Sequence, residues 1–203
     1  PTLQDSSAAS DVYKRQLDKY ALIRNYCYPY VGKEDHVKGH HHRCGVWVDG
    51  VIKWFDDGEG WVGEPDYAKE SLVGHSFFTN PDIGIEVTFT DCVHHEKDIY
   101  LRKAVVKNTE NKKRNVKLFL NQHFHIAGDN VGDTAFYEPY NECIIHYKAH
   151  RYFLINGRCN KQRFSQFATG AADEGERLGT WVDGNDGKLE GNPIEHGLSL
   201  IHI

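Results

Sequence analysis

The sequence predicts an all-β domain of the antiparallel sandwich type, and three observations support this prediction. Apolar and polar residues alternate with a period of two in several short segments. Asp-Gly and Asn-Gly pairs, which suit tight hairpin turns, recur between those segments. No window of about a dozen residues carries the 3.6-residue apolar stripe of an amphipathic helix. Short strands separated by turns are typical of β-sandwiches and barrels.

The clearest strand is predicted over residues 85–90, where Ile85, Val87 and Phe89 alternate with polar residues. The same alternation predicts a second strand over 116–121. Each strand should bury one face and expose the other.

A third strand is predicted over 98–107, a segment rich in branched and aromatic residues. Its alternation loses phase around 103–106, which predicts a bend at a β-bulge. Shorter apolar segments predict further strands over 144–148, 152–155 and 164–169.

Turns are expected at five Asp-Gly or Asn-Gly pairs, because these residues tolerate the positive φ that a type I′ turn requires. They are Asp49-Gly50, Asp57-Gly58, Asn156-Gly157, Asp183-Gly184 and Asp186-Gly187. The first pair predicts a hairpin over 46–54, with Trp47 opposite Ile52 as a cross-strand pair that holds the register.

The two ends of the chain read as translated cloning adapter. Residues 6–16 match one reading of a sequencing-library transposase adapter, and residues 198–203 match its reverse strand. We therefore predict adapter at 1–16 and 198–203, and a native β-sandwich domain over 17–197 that is truncated at both ends. The alternative is a Ser/Ala-rich tail followed, at the other end, by a short apolar strand.

Charge and hydropathy exclude two classes of partner. The net charge is −5, and Lys and Arg are dispersed, so the sequence does not predict nucleic-acid binding. No apolar run approaches the ~20 residues that cross a bilayer, so no membrane partner is predicted. The five cysteines form no C-x-x-C pair, which favours a reducing, cytoplasmic location.

Histidines form the densest candidate for metal chemistry. On an extended chain, His40 and His42 would point the same way, although the segment also reads as a polar loop before a strand. His123 and His125 form a second pair, which Glu138 and His146 would complete as a cupin-like site, or else these histidines cap a sheet edge. Neither group has a complete ligand spacing, so we predict no metal and no cofactor.

Carboxylates and aromatics are the candidates for a sugar-hydrolysing or sugar-binding site. The available acids, Asp56, Asp57, Glu59, Glu64 and Glu138, all lie in turn-like sequence, and no pair among them is favoured. No serine-hydrolase, P-loop or dinucleotide motif occurs. Stacking on sugar and packing in the core are both consistent with the aromatic residues Tyr26, Tyr28, Tyr30, Trp47, Trp54 and Trp61.

A family resemblance covers nearly all of 17–197. Residues 23–37, followed by Gly39-His40 and by 45–50, resemble the start of bacterial and archaeal glucoamylase-like proteins of glycoside hydrolase family 15, including trehalase-like members. The likeness continues in order through later segments, among them 116–126, 132–135, 146–148, 151–155, 179–181 and 191–194.

The resemblance implies the fold, partner and activity of the parent protein. The matching region is an N-terminal β-sandwich of the supersandwich, galactose-mutarotase-like type, joined to a C-terminal (α/α)6 catalytic barrel. In that family two glutamates of the barrel hydrolyse an α-glucosidic bond with inversion, in glucoamylase (glucan 1,4-alpha-glucosidase) or trehalase. Neither glutamate can be placed in this chain, so the domain is expected to be non-catalytic.

The segment from Tyr28 to His42 is the expected functional loop. Tyr30, His36 and His40 are the predicted substrate-binding residues, since they offer stacking and hydrogen bonds to an α-glucan or α-glucoside. The alternative is that the loop only docks the sandwich onto the barrel. Two other functions stay open: a stand-alone carbohydrate-binding β-module and a cupin-like metalloenzyme.

Overall fold

The computed structural model describes residues 17–29, 33–37, 39, 42–129, 131–170, 180–190, 194–196 and 199–202, the last two ranges by their backbone alone. These residues form fifteen β-strands. The first seven are β1 (Arg43–Val48), β2 (Val51–Trp54), β3 (Val62–Tyr67), β4 (Gly74–Asn80), β5 (Ile85–Val93), β6 (Tyr100–Asn108) and β7 (Val116–His123). The others are β8 (Thr134–Glu138), β9 (Cys143–Lys148), β10 (Arg151–Ile155), β11 (Arg158–Cys159), β12 (Gln162–Arg163), β13 (Phe167–Gly170), β14 (Ile194–His196) and β15 (Ser199–His202). Short 3-10 turns lie at Phe55–Asp57, Ile126–Gly128 and Thr180–Asp186.

The strands form three sheets and one small hairpin. The first sheet has the order β13-β15-β7-β1-β2, the second β3-β4-β5-β6 and the third β10-β9-β8-β14, while β11 pairs with β12. All the pairings are antiparallel. The all-β antiparallel prediction is confirmed.

The main core lies between the first and second sheets. Ile85, Val87 and Phe89 on β5 are fully buried, as the period-two pattern predicted. They pack with Val46 of β1 and with Phe55, whose ring stacks on Trp61 at 4.0 Å. Burial of side chains of this size stabilises the fold by about 1.5–3 kcal/mol each.

The hairpin between β1 and β2 is confirmed. Asp49 (φ 50°) and Gly50 (φ 108°) both have positive φ, as a type I′ turn requires. Trp47 pairs with Ile52 in the predicted register.

The predicted bulge around 103–106 is wrong. β6 pairs with β5 without interruption from Tyr100 to Asn108. The alternation looked irregular because Arg102 faces the core, where its Nε lies 2.6 Å from the fully buried Asp91 carboxylate, while Leu101 and Val105 face solvent. A buried ion pair thus replaces an apolar residue at an inward position.

The last strand falls on residues whose sequence predicts adapter. β15 pairs with β7 on one side and with β13 on the other. The alternative interpretation included a short strand here, but strand geometry does not identify the origin of a sequence, so the adapter assignment stays a prediction. Residues 1–16 and 197–198 lie outside the described residues.

The described residues contain no helix that is both long and apolar enough to span a bilayer.

Candidate functional site

The predicted substrate-binding residues are only partly within what the structure describes. Tyr30 and His40 lie outside the described residues. His36 is described, and its side chain is fully buried. Residues 26–42, which comprise the expected loop and the two residues before it, form the 26–42 segment, and contacts of His36 hold the part of it that the structure describes.

The His36 imidazole is held by two backbone groups from distant parts of the chain. The N–H of Ala127 donates to Nδ1 at 3.0 Å, so the ring proton lies on Nε2, which donates to the carbonyl of Tyr28 at 3.0 Å. Burial lowers the pKa of His36, and the ring is neutral. Both ring nitrogens are thus engaged within the chain, and the use of His36 as a direct sugar contact stays a prediction.

The main chain of His36 adds two further links. Its N–H donates to the carbonyl of Tyr26 at 2.9 Å, and its carbonyl accepts from the N–H of His125 at 2.7 Å. His36 therefore fastens the segment to the end of β7 through both backbone and side chain.

Glu34 makes a second connection, to the third sheet. The Arg151 guanidinium of β10 donates from Nε and Nη2 to the two oxygens of Glu34, each at 2.9 Å. This bidentate geometry is the strongest form of a carboxylate–guanidinium pair. The hydrogen bond to Arg151 lowers the pKa of Glu34. The guanidinium also lies over the Tyr28 ring, 5.6 Å from its centre.

An aromatic cluster underlies the segment. Phe124 stacks on Phe153 at 4.7 Å, and Tyr26 packs edge-on against both rings. His42 and His146 each pack edge-on against Phe124, and burial lowers the pKa of each to about 3. Both imidazoles are therefore neutral near pH 7.

The described residues among the six aromatic candidates for sugar stacking do not form one exposed surface. Trp54 and Trp61 are 2% and 8% exposed and pack inside the fold. The Trp54 ring is covered by Arg43, whose guanidinium lies 4.8 Å from Trp54 and 4.2 Å from Trp181.

The five candidate carboxylates do not converge on a cavity. Asp56 and Asp57 both pair with Arg43, and Glu59 pairs with Lys53 at 2.7 Å. Glu138 accepts hydrogen bonds from the backbone N–H groups of Tyr140 and Asn141 in the β8–β9 turn, and Glu64 lies exposed on β3. These contacts suit structural roles.

The cupin-like set is not assembled, and that alternative was wrong. His146 pairs with Ala135 across the sheet. Glu138 lies three residues further along β8, where its carboxylate accepts hydrogen bonds within the β8–β9 turn. Among the described residues no three His, Cys, Asp or Glu side chains are close enough to hold one metal ion. His123 and His125 do approach each other, with their Nε2 atoms 3.1 Å apart.

Two features near the site, one buried carboxyl group and one ion pair, were not foreseen. Asp133 is 1% exposed, its Oδ1 accepts from the N–H of Ile126 at 3.3 Å, and burial raises its pKa to about 7. The Arg151–Glu34 pair joins residues 117 positions apart, and no local sequence pattern signals it.

Two known proteins resemble the chain, although no protein-family model matches it. It is 26% identical over 183 residues to an uncharacterized glycosyl hydrolase from Methanocaldococcus jannaschii, a match that covers 90% of this chain and 28% of that protein. Its structure aligns with a bacterial glucoamylase crystallised with acarbose at a TM-score of 0.72 and 14% identity, covering 91% of this chain and 27% of the glucoamylase. The chain thus spans about a quarter of the length of either protein. It has the antiparallel fold of the glucoamylase β-domain, and the glucoamylase-like resemblance seen in its sequence is confirmed at the level of fold.

Proposed function

We propose that this chain is the non-catalytic β-domain of a glucoamylase-like glycoside hydrolase, of glucan 1,4-alpha-glucosidase or trehalase type, which supports a separate catalytic domain. One observation carries the proposal: 91% of the chain aligns with only 27% of a bacterial glucoamylase. The sequence match to the glycosyl hydrolase from Methanocaldococcus jannaschii covers a similar share of that protein, 28% of its length.

The carboxylates of the described residues support a non-catalytic role. Inverting hydrolysis needs two carboxyl groups about 6.5–9.5 Å apart, with room between them for sugar and water. Two of the candidate acids instead form ion pairs with Arg43, one forms an ion pair with Lys53 and one accepts hydrogen bonds within a turn. The exposed Glu64 has no facing partner among these acids. A partner domain would have to supply the acid and the base.

The proposed partner is a C-terminal (α/α)6 catalytic domain of the same polypeptide, acting on an α-glucan or α-glucoside. Deleting the matching quarter of the Methanocaldococcus jannaschii hydrolase tests the support role in a relative. We expect the remaining protein to unfold at lower temperature than the whole protein. A remainder that melts and acts as the whole protein does would contradict the proposal.

The 26–42 segment is the proposed contact with the partner domain and its substrate. His36 and Glu34 fix its described parts to the turn after β7 and to β10. In a hydrolase that carries this domain, Tyr30→Ala and His40→Ala should lower kcat/KM if these residues touch sugar. Unchanged kcat/KM with lowered thermal stability would favour docking alone.

A second candidate function is sugar binding, and one feature favours it. Tyr152 of β10 is 58% exposed, and its ring stacks on Tyr147 of β9 at 5.4 Å and 10° on the outer face of the third sheet. Exposed tyrosine rings can stack on the apolar face of a sugar. Affinity electrophoresis in soluble starch tests this: retardation that Tyr152→Ala abolishes would support it. The matched control is Phe77→Ala, on the second sheet, where the side chain is 45% exposed.

We also propose a reducing, cytoplasmic location. All five cysteines are free thiols. Thiol titration of the denatured chain, isolated without reductant, should find five reactive groups, and fewer would contradict the proposal.

A further inference from the structure

The short turn that follows β7 is held by side chains from three parts of the chain. Asp133 Oδ1 accepts from the N–H of Ile126 at 3.3 Å, and Lys148 Nζ donates to the carbonyl of Ile126 at 3.1 Å. His36 Nδ1 accepts from the N–H of Ala127 at 3.0 Å. The position of the turn therefore depends on all three side chains.

The backbone of this turn needs such contacts. Ala127 has a φ of 60°, in the left-handed region that a residue with a Cβ atom disfavours. A backbone conformation of this kind persists only where surrounding contacts hold it. Loss of one of the three contacts should therefore let the turn move.

The Lys148 ammonium lies between an exposed and a buried carboxyl group. Nζ donates to the exposed Asp129, and the charge of Lys148 also acts on Asp133, which is 1% exposed. The second oxygen of Asp133, Oδ2, is buried and accepts no hydrogen bond within the part of the chain that the structure describes. A buried oxygen without a donor is unfavourable, and more so when it carries charge.

The two protonation states of Asp133 place different demands on Lys148. Burial raises the pKa of Asp133 to about 7, against the opposing effect of the Lys148 charge, so both states occur near neutral pH. The protonated carboxyl group is neutral and leaves Lys148 paired with Asp129. The ionised group attracts the ammonium more strongly than an exposed carboxylate does, because less water screens the charges.

We propose that Lys148 is a proton-controlled latch, which pairs with Asp129 while Asp133 is protonated and with Oδ2 of Asp133 once that proton has left for solution. The exchange draws Nζ away from the carbonyl of Ile126, so the turn loses one of its three contacts. The hydrogen bond from Ala127 to the 26–42 segment then weakens. The latch itself does not depend on the proposed function.

Other ionisable groups adjoin the turn, and the latch can be separated from them. Lys148 on β9 and Asp129 in the loop are the charged groups that act on Asp133. From the 26–42 segment His36 contacts the turn, and burial lowers its pKa, so that ring stays neutral near pH 7. His125 precedes the turn, with its N–H bonded to the carbonyl of His36. A variant at Asp133 leaves both histidines in place.

A pH titration of the unaltered chain, followed by NMR of carboxyl carbons and backbone amides, tests the latch. Between about pH 5 and 9 we expect the carboxyl shift of Asp133 to titrate, and the shifts of the Asp129 carboxyl and the Ala127 amide to change with the same midpoint. An exposed aspartate ordinarily titrates at about pH 3.9, below this range, so an inflection at Asp129 reports the departure of Lys148. No titration of Asp133 in this range, or titration that Asp129 and Ala127 do not follow, would overturn the proposal.

Two variants distinguish the latch from simpler causes. In Asp133→Asn the inflections at Asp129 and Ala127 should disappear, whereas titration of a neighbouring histidine would leave them in place. In Lys148→Met, Asp133 should titrate at higher pH and Ala127 should no longer follow it. The exposed Lys107→Met is the control and should titrate as the unaltered chain does. If Ala127 followed Asp133 without Lys148, the turn would respond to Asp133 directly and the proposal would be wrong.

Discussion

The side chain of His36 accepts a hydrogen bond at Nδ1 from the backbone N–H of Ala127, 91 residues further along the chain, at 3.0 Å. Ala127 has a positive φ of 60°, in the turn that follows β7. The same imidazole donates to Tyr28. One buried ring thus links Tyr28 to the turn that follows β7.

Replacing His36 should destabilise the domain. His36→Ala removes a buried ring and leaves the N–H of Ala127 and the carbonyl of Tyr28 without their partner, which should cost about 2–4 kcal/mol in the free energy of unfolding. Urea unfolding followed by fluorescence measures this. The exposed His75 provides the control, and equal stability of His36→Ala and His75→Ala would contradict the structural role.

The domain should lose stability in acid because His42 and His146 are buried as neutral imidazoles. Their pKa is about 3 in the folded state and about 6.5 in the unfolded state, so unfolding takes up protons between these values. The contribution of each is complete above pH 6.5 and is lost as the pH falls towards 3, at about 1.4 kcal/mol per pH unit.

A variant separates this effect from general acid denaturation. His146→Leu should reduce the pH dependence of the unfolding free energy between about pH 6 and 4 by about one proton, whereas His75→Leu should leave it unchanged. If the unfolding free energy changed with pH at the same rate in the unaltered chain and in both variants, the effect could not be assigned to His146.

Asp133 should make the stability of the domain depend on pH in the opposite direction to His42 and His146. Burial raises its pKa to about 7 from an ordinary value near 3.8, so the folded state holds a proton that the unfolded state releases. The stability it contributes is complete below about pH 3.8 and is lost as the pH rises through 7.

The permanently neutral Asp133→Asn should therefore be more stable than the unaltered chain at about pH 8, by about 1–3 kcal/mol, and no more stable at about pH 3.5. Thermal unfolding at the two pH values measures the difference. The exposed Asp82→Asn is the control. A gain of equal size at both pH values would show that ionisation of Asp133 is not its cause.

Removing only one partner of the ion pair between Arg102 and Asp91 should strongly destabilise the domain. Arg102→Met leaves the fully buried Asp91 carboxylate without its guanidinium and should lower the unfolding free energy by about 3–5 kcal/mol. Adding Asp91→Asn should restore part of that loss, because no buried charge remains. If the double variant were as unstable as the sum of the two single variants, the pair would not be coupled as described.

Much of the fold could be predicted from local sequence patterns. The alternation in Ile85, Val87 and Phe89 and the turn at Asp49-Gly50 depend on neighbours in sequence, so both could be predicted. The inward-facing Arg102 broke the pattern of β6, because its burial depends on Asp91 on another strand. Periodicity within one strand carries no information about that partner.

The site was less predictable than the fold. The histidines and tyrosines of the 26–42 segment made it the expected functional loop, and that expectation stays a prediction. The burial of His36 follows from contacts with Tyr28 and Ala127 that sequence spacing does not encode. The bidentate pair of Glu34 and Arg151 likewise depends on how the third sheet packs.

Glucose release by the purified chain is the decisive test of the proposed non-catalytic role. The chain should be incubated at high concentration with soluble starch, maltose and trehalose. We expect no glucose above that from a heat-denatured sample, because no acid–base pair is assembled in the described residues. Glucose release that co-purifies with the folded chain, and that disappears when Asp56, Glu59 or Glu138 is replaced by its amide, would contradict this role.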